Sequence, residues 1–353
     1  MSLLHPVTTA LRRTATRTLL LGAIAASLSA LSGGVQAQTK LRFQLDWRID
    51  GQVAPFFLAQ AKGYFKEEGL EVQLDPGAGS ALAVSRTASS AYDMGYGDTT
   101  ALIEFLANNG SNPSARVQAV YMVMDATPAA AMALTKSNIT EPKQLVGKTF
   151  GAPIFDAGRK LFPLFAGAQG IDPASVKWQS MDPALRETML VRGQVDVVTG
   201  YQPSGVISAM AVGAKEGELK VFYYKDYGVR AFGNAILVNP KFAAEQPKAV
   251  ASFLRAFNRA MKETIADYPA AVKFIKAREP LVDEATEIRR LRGLFDNFVV
   301  TPNVRSRGLG EVNKLRLETV VEDVVKAFNL KVTPNPDQIF NSSFLPPRGQ
   351  RTL

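Results

Sequence analysis

The 353-residue chain has no cysteine and a single histidine, His5, which lies in a segment read below as a leader. Those two absences remove most familiar active-site chemistry. Disulfides and thiolate nucleophiles are out, and so are Ser-His-Asp and Cys-His catalysis and any ordinary zinc site. Enzymes that rely only on Asp, Glu, Lys, Ser or Tyr survive this filter. Missing cysteine does not argue against an oxidising compartment, because a chain of this length buries a core of its own. No GxGxxG, Walker-type or EF-hand spacing occurs, and the acids are scattered rather than paired. No cofactor and no metal are therefore expected. Basic residues do not interleave with aromatics in any run, so nucleic acid is not an expected partner.

Residues 1–37 read as a targeting segment rather than as structure. Arg12, Arg13 and Arg17 form a positive region, an apolar and small-residue stretch follows from Leu19 to Leu31, and Val35-Gln36-Ala37 offers a small-x-small cleavage site. The stretch is too short and too rich in Ser and Gly for a membrane span, which needs about 20 apolar residues. A cleaved signal for export to the periplasm is expected, with an uncleaved N-terminal anchor as the alternative; the export route stays open. Beyond position 37 the chain carries 38 basic and 32 acidic residues, with no second apolar run of spanning length. Its remaining 316 residues suggest two domains.

What is present is a repeated alternation of strand and helix. Leu41–Leu45 alternates apolar and polar residues as a half-buried strand does. A helix to about Lys62, a strand at Glu71–Leu74, a helix from Ser80 to about Ser89 and a strand at Tyr92–Tyr96 follow. The middle of the chain repeats this order: strands at Gly147–Gly151, Ser175–Trp178 and Val195–Thr199, with a helix after Phe155–Arg159 and another opened by Asp182-Pro183. Such alternation predicts mostly parallel α/β sheets flanked by helices. Two similar lobes are expected, since the order occurs twice and the copies are far apart. Another strand is expected at Ala235–Val238. Val250, Phe253, Leu254, Phe257, Met261 and Ile265 then share one face of a core helix. Further helices are expected over Glu284–Asn297 and Glu311–Asn329, and the proline-rich end from Thr333 reads as a surface-hugging or loose tail.

Leu45-Asp-Trp-Arg-Ile-Asp50, followed by Ala61-Lys-Gly-Tyr-Phe-Lys-Glu-Glu-Gly-Leu-Glu-Val72, resembles the SsuA/THI5-like (NMT1) group of ABC transporter solute-binding proteins. Tyr92–Asp98, Leu145–Gly151 and Arg192–Val198 are similar to that family as well, so the resemblance runs from about Leu41 to Val238. It implies a two-lobed type II periplasmic-binding-protein fold. One lobe would combine residues 38–128 with 231–353, the other would be the insertion 129–230, and hinges would lie near Asp125–Pro128 and Asp226–Gly233. It also implies capture of a small organic solute by hinge closure and delivery to an ABC transporter permease in the inner membrane, with a monomer expected. Pyrimidine-related members carry an Asn and a His in the loop after the tryptophan. Here that loop reads Arg48-Ile-Asp-Gly-Gln52, which argues against a pyrimidine ligand and against catalysis.

In open parallel sheets, ligands sit beyond the carboxyl ends of the strands, where helix N-termini present free N–H groups. Trp47, directly after the first strand, is a candidate stacking wall or a rim aromatic. Asp50 and Gln52 are candidate hydrogen-bonding groups, with Asp50 also a possible helix cap. Gly79 and Ser80 open the next helix, and Asp98 and Thr99 end the central strand of the first lobe. Phe155, Asp156 and Arg159 lie in the equivalent loop of the second lobe. Arg159 is the candidate anion partner, or else an ordinary solvated arginine. Tyr201 and Gln202 follow the matching strand, Asp226 and Tyr227 belong to the hinge, and Asn234 sits where the chain re-enters the first lobe. The expected ligand is anionic, aromatic or both. A histidine-independent enzyme and a ligand-presenting sensor domain remain the alternatives.

Overall fold

A computed structural model describes residues 38–110, 112 and 115–353; the leader expected at 1–37 lies outside the described residues. The strands are β1 (Thr39–Gln44), β2 (Leu70–Asp75), β3 (Met94–Asp98), β4 (Gln118–Met122), β5 (Ala129–Leu134), β6 (Thr149–Ala152), β7 (Lys177–Ser180), β8 (Val197–Tyr201), β9 (Leu219–Tyr223) and β10 (Asn234–Val238). They form two five-stranded sheets, ordered β2-β1-β3-β10-β4 and β7-β6-β8-β5-β9. In the first sheet β10 alone runs antiparallel to its neighbours, and in the second β5 alone does. The two lobes are thus the same α/β design with one reversed strand, and helices flank both sheets. Among the described residues no helix is long and apolar enough to cross a membrane.

The internal repeat extends to side chains. Asp93, just before β3, accepts from the Arg42 N–H at 2.7 Å, and Asp196, just before β8, accepts from the Thr149 N–H at 2.8 Å. Each aspartate also donates its own N–H to the carbonyl of that same residue. These pairs hold the approach to the strand, which is why β3 and β8 begin about two residues later than the apolar pattern suggests. β1 and β2 do alternate as expected, with Leu41, Phe43, Leu70, Val72 and Leu74 inward. By contrast β5 reads Ala-Ala-Ala-Met-Ala-Leu and is buried throughout, so it carries no period-two signal.

Helix Pro247–Ala266 buries Val250, Phe253, Leu254, Phe257 and Met261 against the first sheet. Phe253 stacks on Phe43 at 5.0 Å and Phe257 meets Phe56 at 4.4 Å between ring centres. Emptying such a position to alanine typically costs 3–5 kcal/mol. The opposite face points Arg255 and Arg259 at Glu68 and Glu67. The helix expected from Asp182-Pro183 starts later, at Arg186, because the Asp182 carboxylate accepts from the Ala184 N–H and closes a turn first. The proline-rich end is fastened down: Phe340 bridges to Ala119, and buried Arg351 donates to the carbonyls of Pro346 and Leu309.

Two chain segments join the sheets, β4 to β5 and β9 to β10, and they run side by side. Thr127 donates to the Ala231 carbonyl and Gly233 to that of Met124, each at 3.0 Å. Arg316, from helix Lys314–Ala327, clamps both: it reaches Asp125 at 3.1 Å and the Arg230 carbonyl at 3.1 Å, and covers the Phe232 ring at 4.1 Å.

Candidate functional site

The loops at the carboxyl ends of β1, β2, β6 and β8, with Tyr96 of β3, converge between the sheets around a small, nearly filled cavity of about 30 Å³. Asp46, directly after β1, forms its floor. Its carboxylate accepts from Asn234 Nδ2 at 2.7 Å and from Ser80 Oγ at 3.3 Å. Burial, with the charge of Asp50 adding to it, pushes Asp46 up from 3.8 to about 7. The Asp46 and Trp47 carbonyls accept from the N–H groups of Gly79 and Gly77, which ties the loop after β1 to the loop after β2.

Asp50 both caps and reaches across. It accepts from the Gln52 N–H at 3.0 Å, opening the 3₁₀ turn Gly51–Val53, and from Ser204 Oγ of the second lobe at 2.7 Å. Gln52 Nε2 donates to Asp50 and to Ser204, while its Oε1 is buried without a partner. Behind this loop, Glu287 accepts from the Gly51 N–H at 2.5 Å and pairs with Arg290 at 2.9 Å. Arg290 in turn donates to the Ser204 carbonyl at 2.9 Å.

From the second lobe, Asp156 caps helix Ala157–Ala168 through the Arg159 N–H at 2.8 Å. It also meets the buried guanidinium of Arg186 at 3.1 Å, and Arg186 binds Glu187 at 2.6 Å. Burial raises the Asp156 pKa against the opposing pull of Arg186. Tyr201 is hydrogen-bonded to Asn234 Oδ1 at 2.5 Å and to Asp98 Oδ2 at 3.0 Å, both in the first lobe. Burial pushes Asp98 up to about 6, and holds the phenols of Tyr96 and Tyr201 well above their ordinary range. Further contacts close the lobes on each other: Ala81 donates to the Phe155 carbonyl at 3.3 Å, and Lys160 pairs with Glu104 at 3.0 Å.

Of the residues singled out from sequence, Trp47, Asp50, Gln52, Gly79, Ser80, Asp156, Tyr201 and Asn234 line this cavity. Asp98 lies one hydrogen bond behind it. Thr99 ties the helix it opens to the Gly233 carbonyl of the crossover, and Phe155 lies against Gly79. Gln202 begins helix Gln202–Ala211 and donates its N–H to the Pro128 carbonyl, outside the lining. Arg159 also lies outside it. Its guanidinium covers the Trp178 ring at 4.6 Å and donates to the Ala152 carbonyl and Ser180 Oγ. Asp226 is solvent-facing beside Lys225 in the short turn Tyr224–Tyr227 that precedes the crossover, and the Tyr227 carbonyl accepts from Gln169. The lining residues not anticipated are Asp46, Arg48, Val53, Tyr96, Met124, Ala157, Arg186 and Ser204. Asp46 and Ser204 had a readable signal, since Asp46 neighbours Trp47 and Ser204 lies two residues after Gln202. Arg186 had none.

The family model described as NMT1/THI5 like matches residues 50–271, most of both lobes and the whole of this cleft apart from the first loop residues and Glu287–Arg290. The chain belongs to the NMT1/THI5-like family. Within this family the chain is 25% identical to the riboflavin-binding protein RibY of Chloroflexus aurantiacus, over 84% of this chain and 83% of that protein. It is also 25% identical to the 4-amino-5-hydroxymethyl-2-methylpyrimidine phosphate synthase of Aspergillus parasiticus, over 69% and 72% of the two chains. The NMT1/THI5-like fold superposes on the alkanesulfonate-binding protein SsuA of Xanthomonas axonopodis pv. citri, bound to MOPS, with a TM-score of 0.66. That match has 13% identity and covers 85% of this chain and 96% of the other, which establishes the periplasmic-binding-protein fold.

Proposed function

We propose that this protein is the periplasmic solute-binding component of an ABC-type importer, which captures one small organic solute by hinge closure and delivers it to a membrane permease. The observation that carries this reading is the cavity itself. It is enclosed by residues from both lobes at the carboxyl ends of their strands, and the two segments joining the lobes lie side by side as a hinge. The strands that share a sheet support lobe boundaries at 38–128 with 231–353 and at 129–230. A leader at 1–37 would deliver the protein to the compartment where such a component works.

Named synthases also occur in this family, so binding has to be argued against turnover. Catalysis of the histidine-dependent kind is closed to this chain, whose one histidine is His5. Planar or aromatic character in the solute is supported by Trp47 and Tyr201 at the cavity. An anionic solute has less support, because Arg159 is engaged on Trp178 and Arg186 is already paired with two carboxylates.

The test is a thermal-shift screen of the purified protein against a broad collection of small solutes, followed by recovery of any hit. A ligand at about 100 times its dissociation constant adds roughly 2.7 kcal/mol and raises the melting temperature. Recovery of the hit unchanged, one per chain, is the expected result. Chemical consumption of the hit would move the assignment to an enzyme.

A further inference from the structure

The free polar atoms of the cavity define what can enter it. Gln52 is 8% exposed, and its Oε1 has no hydrogen-bond partner. The amide cannot be turned round to solve this, because Nε2 is committed to the Asp50 carboxylate and to Ser204 Oγ. That unused atom is an acceptor, and Gln52 lines the cavity. A buried acceptor left unpaired is costly, so a ligand that supplies the missing donor gains more than one that does not.

The charges point the same way. Asp46, Asp50 and Asp156 line the cavity, and the two arginines beside them are already spent: Arg186 on Asp156 and Glu187, Arg290 on Glu287 and, at 3.7 Å, on Asp50. Arg48 is exposed at the rim. An entering anion would therefore meet carboxylates without an unpaired buried cation to receive it. Arg186 uses three of its five N–H groups on Glu187 and Asp156, which leaves donors for a neutral acceptor on the ligand's opposite edge.

We propose that the buried end of the solute is a hydrogen-bond donor without negative charge (an amine, amide, amidine or ring N–H) and that carboxylates and sulfonates are refused. This rests on the solute-binding reading and assigns that site its ligand class.

The experiment is the same kind of screen, run with a collection that holds amine, amide and amidine solutes beside carboxylates and sulfonates on matched ring scaffolds. Donor-bearing, non-anionic solutes are expected to raise the melting temperature and the matched anions to leave it unchanged. For the best hit, Gln52→Met is then measured by calorimetric titration. This variant removes the unpaired acceptor, so affinity falls by roughly tenfold or more, and circular dichroism checks that it folds. Carboxylates or sulfonates as the strongest hits would overturn the ligand class and leave solute binding standing. So would undiminished affinity in the Gln52→Met variant. Silence across the whole collection would count against solute binding itself and take this inference with it.

Discussion

The guanidinium of Arg186 lies 4.8 Å from the centre of the Trp47 ring, and the two residues come from opposite lobes. Arg186 is not free to follow the indole, because Asp156 and Glu187 hold it from two sides within its own lobe. On the proposed hinge motion, the stacked pair exists only when the lobes are closed. A cation over an aromatic face contributes about 0.5–2 kcal/mol, more when desolvated, so the pair also favours closure.

Trp47 should consequently report lobe closure. Trp178, the other tryptophan, sits under Arg159 within the second lobe and does not change partner when the lobes move. In a Trp178→Phe variant, addition of solute is expected to give a saturable change in emission from Trp47. Emission that stays flat while calorimetry records binding would show that Trp47 and Arg186 do not separate in the open form.

Arg186→Met should be among the most damaging single changes in the second lobe. It leaves Asp156 and Glu187 as buried carboxylates with no countercharge, which typically costs 3–5 kcal/mol. Urea unfolding is the measurement, and at this chain length the melting temperature should fall by roughly 10 °C. Arg159→Met, a loss of the same charge from a half-buried site on Trp178, should cost far less.

The contrast between those two arginines shows where sequence reasoning ran out. Trp47, Asp50, Gly79 and Tyr201 were legible because each ends a strand or lies in the strand-to-helix loop after one, and strand ends can be placed from apolar pattern alone. Arg186 stands on a short helix among residues that read as a solvated face. It is buried because Gly200 has no side chain: a Cβ there would overlap the guanidinium. Nothing at either position in isolation reveals that long-range fit. Similarly β5 went unread because its alanines favour helix by local propensity, and only a sheet covered on both faces makes Ala-Ala-Ala-Met-Ala-Leu a strand.

Gly79→Ala should block closure rather than folding. Gly79 has φ +136°, a backbone conformation that suits glycine, and a Cβ there would run into the Phe155 carbonyl of the other lobe. The local strain is worth about 1–3 kcal/mol, and the collision exists only in the closed form. Small-angle scattering with solute present should show the wild type compact and the variant extended, with affinity lower by about tenfold or more. An equally compact variant with unchanged affinity would mean that the two loops give way instead.

The buried carboxyls make stability fall as pH rises, the reverse of the usual acid denaturation. Burial carries Asp46 from 3.8 to about 7 and Asp98 from 3.8 to about 6, so between pH 4 and 7 the folded chain holds protons that the unfolded chain has released. Stability from these groups is complete below about pH 4, declines as pH passes through 6 and 7, and is level above that. Forcing Asp46 to ionise in place costs up to about 4 kcal/mol. The carboxamide of Asp46→Asn never ionises, so its gain in urea resistance relative to wild type should be largest at pH 8, clearly smaller at pH 5 and nearly gone by pH 4. The comparison with wild type at each pH cancels the effect of the chain's overall positive charge, which changes with pH in both proteins alike. A difference between the two proteins that is the same at pH 5 and pH 8 would mean that Asp46 is ionised throughout, with water or an ion meeting its charge at the floor of the cleft.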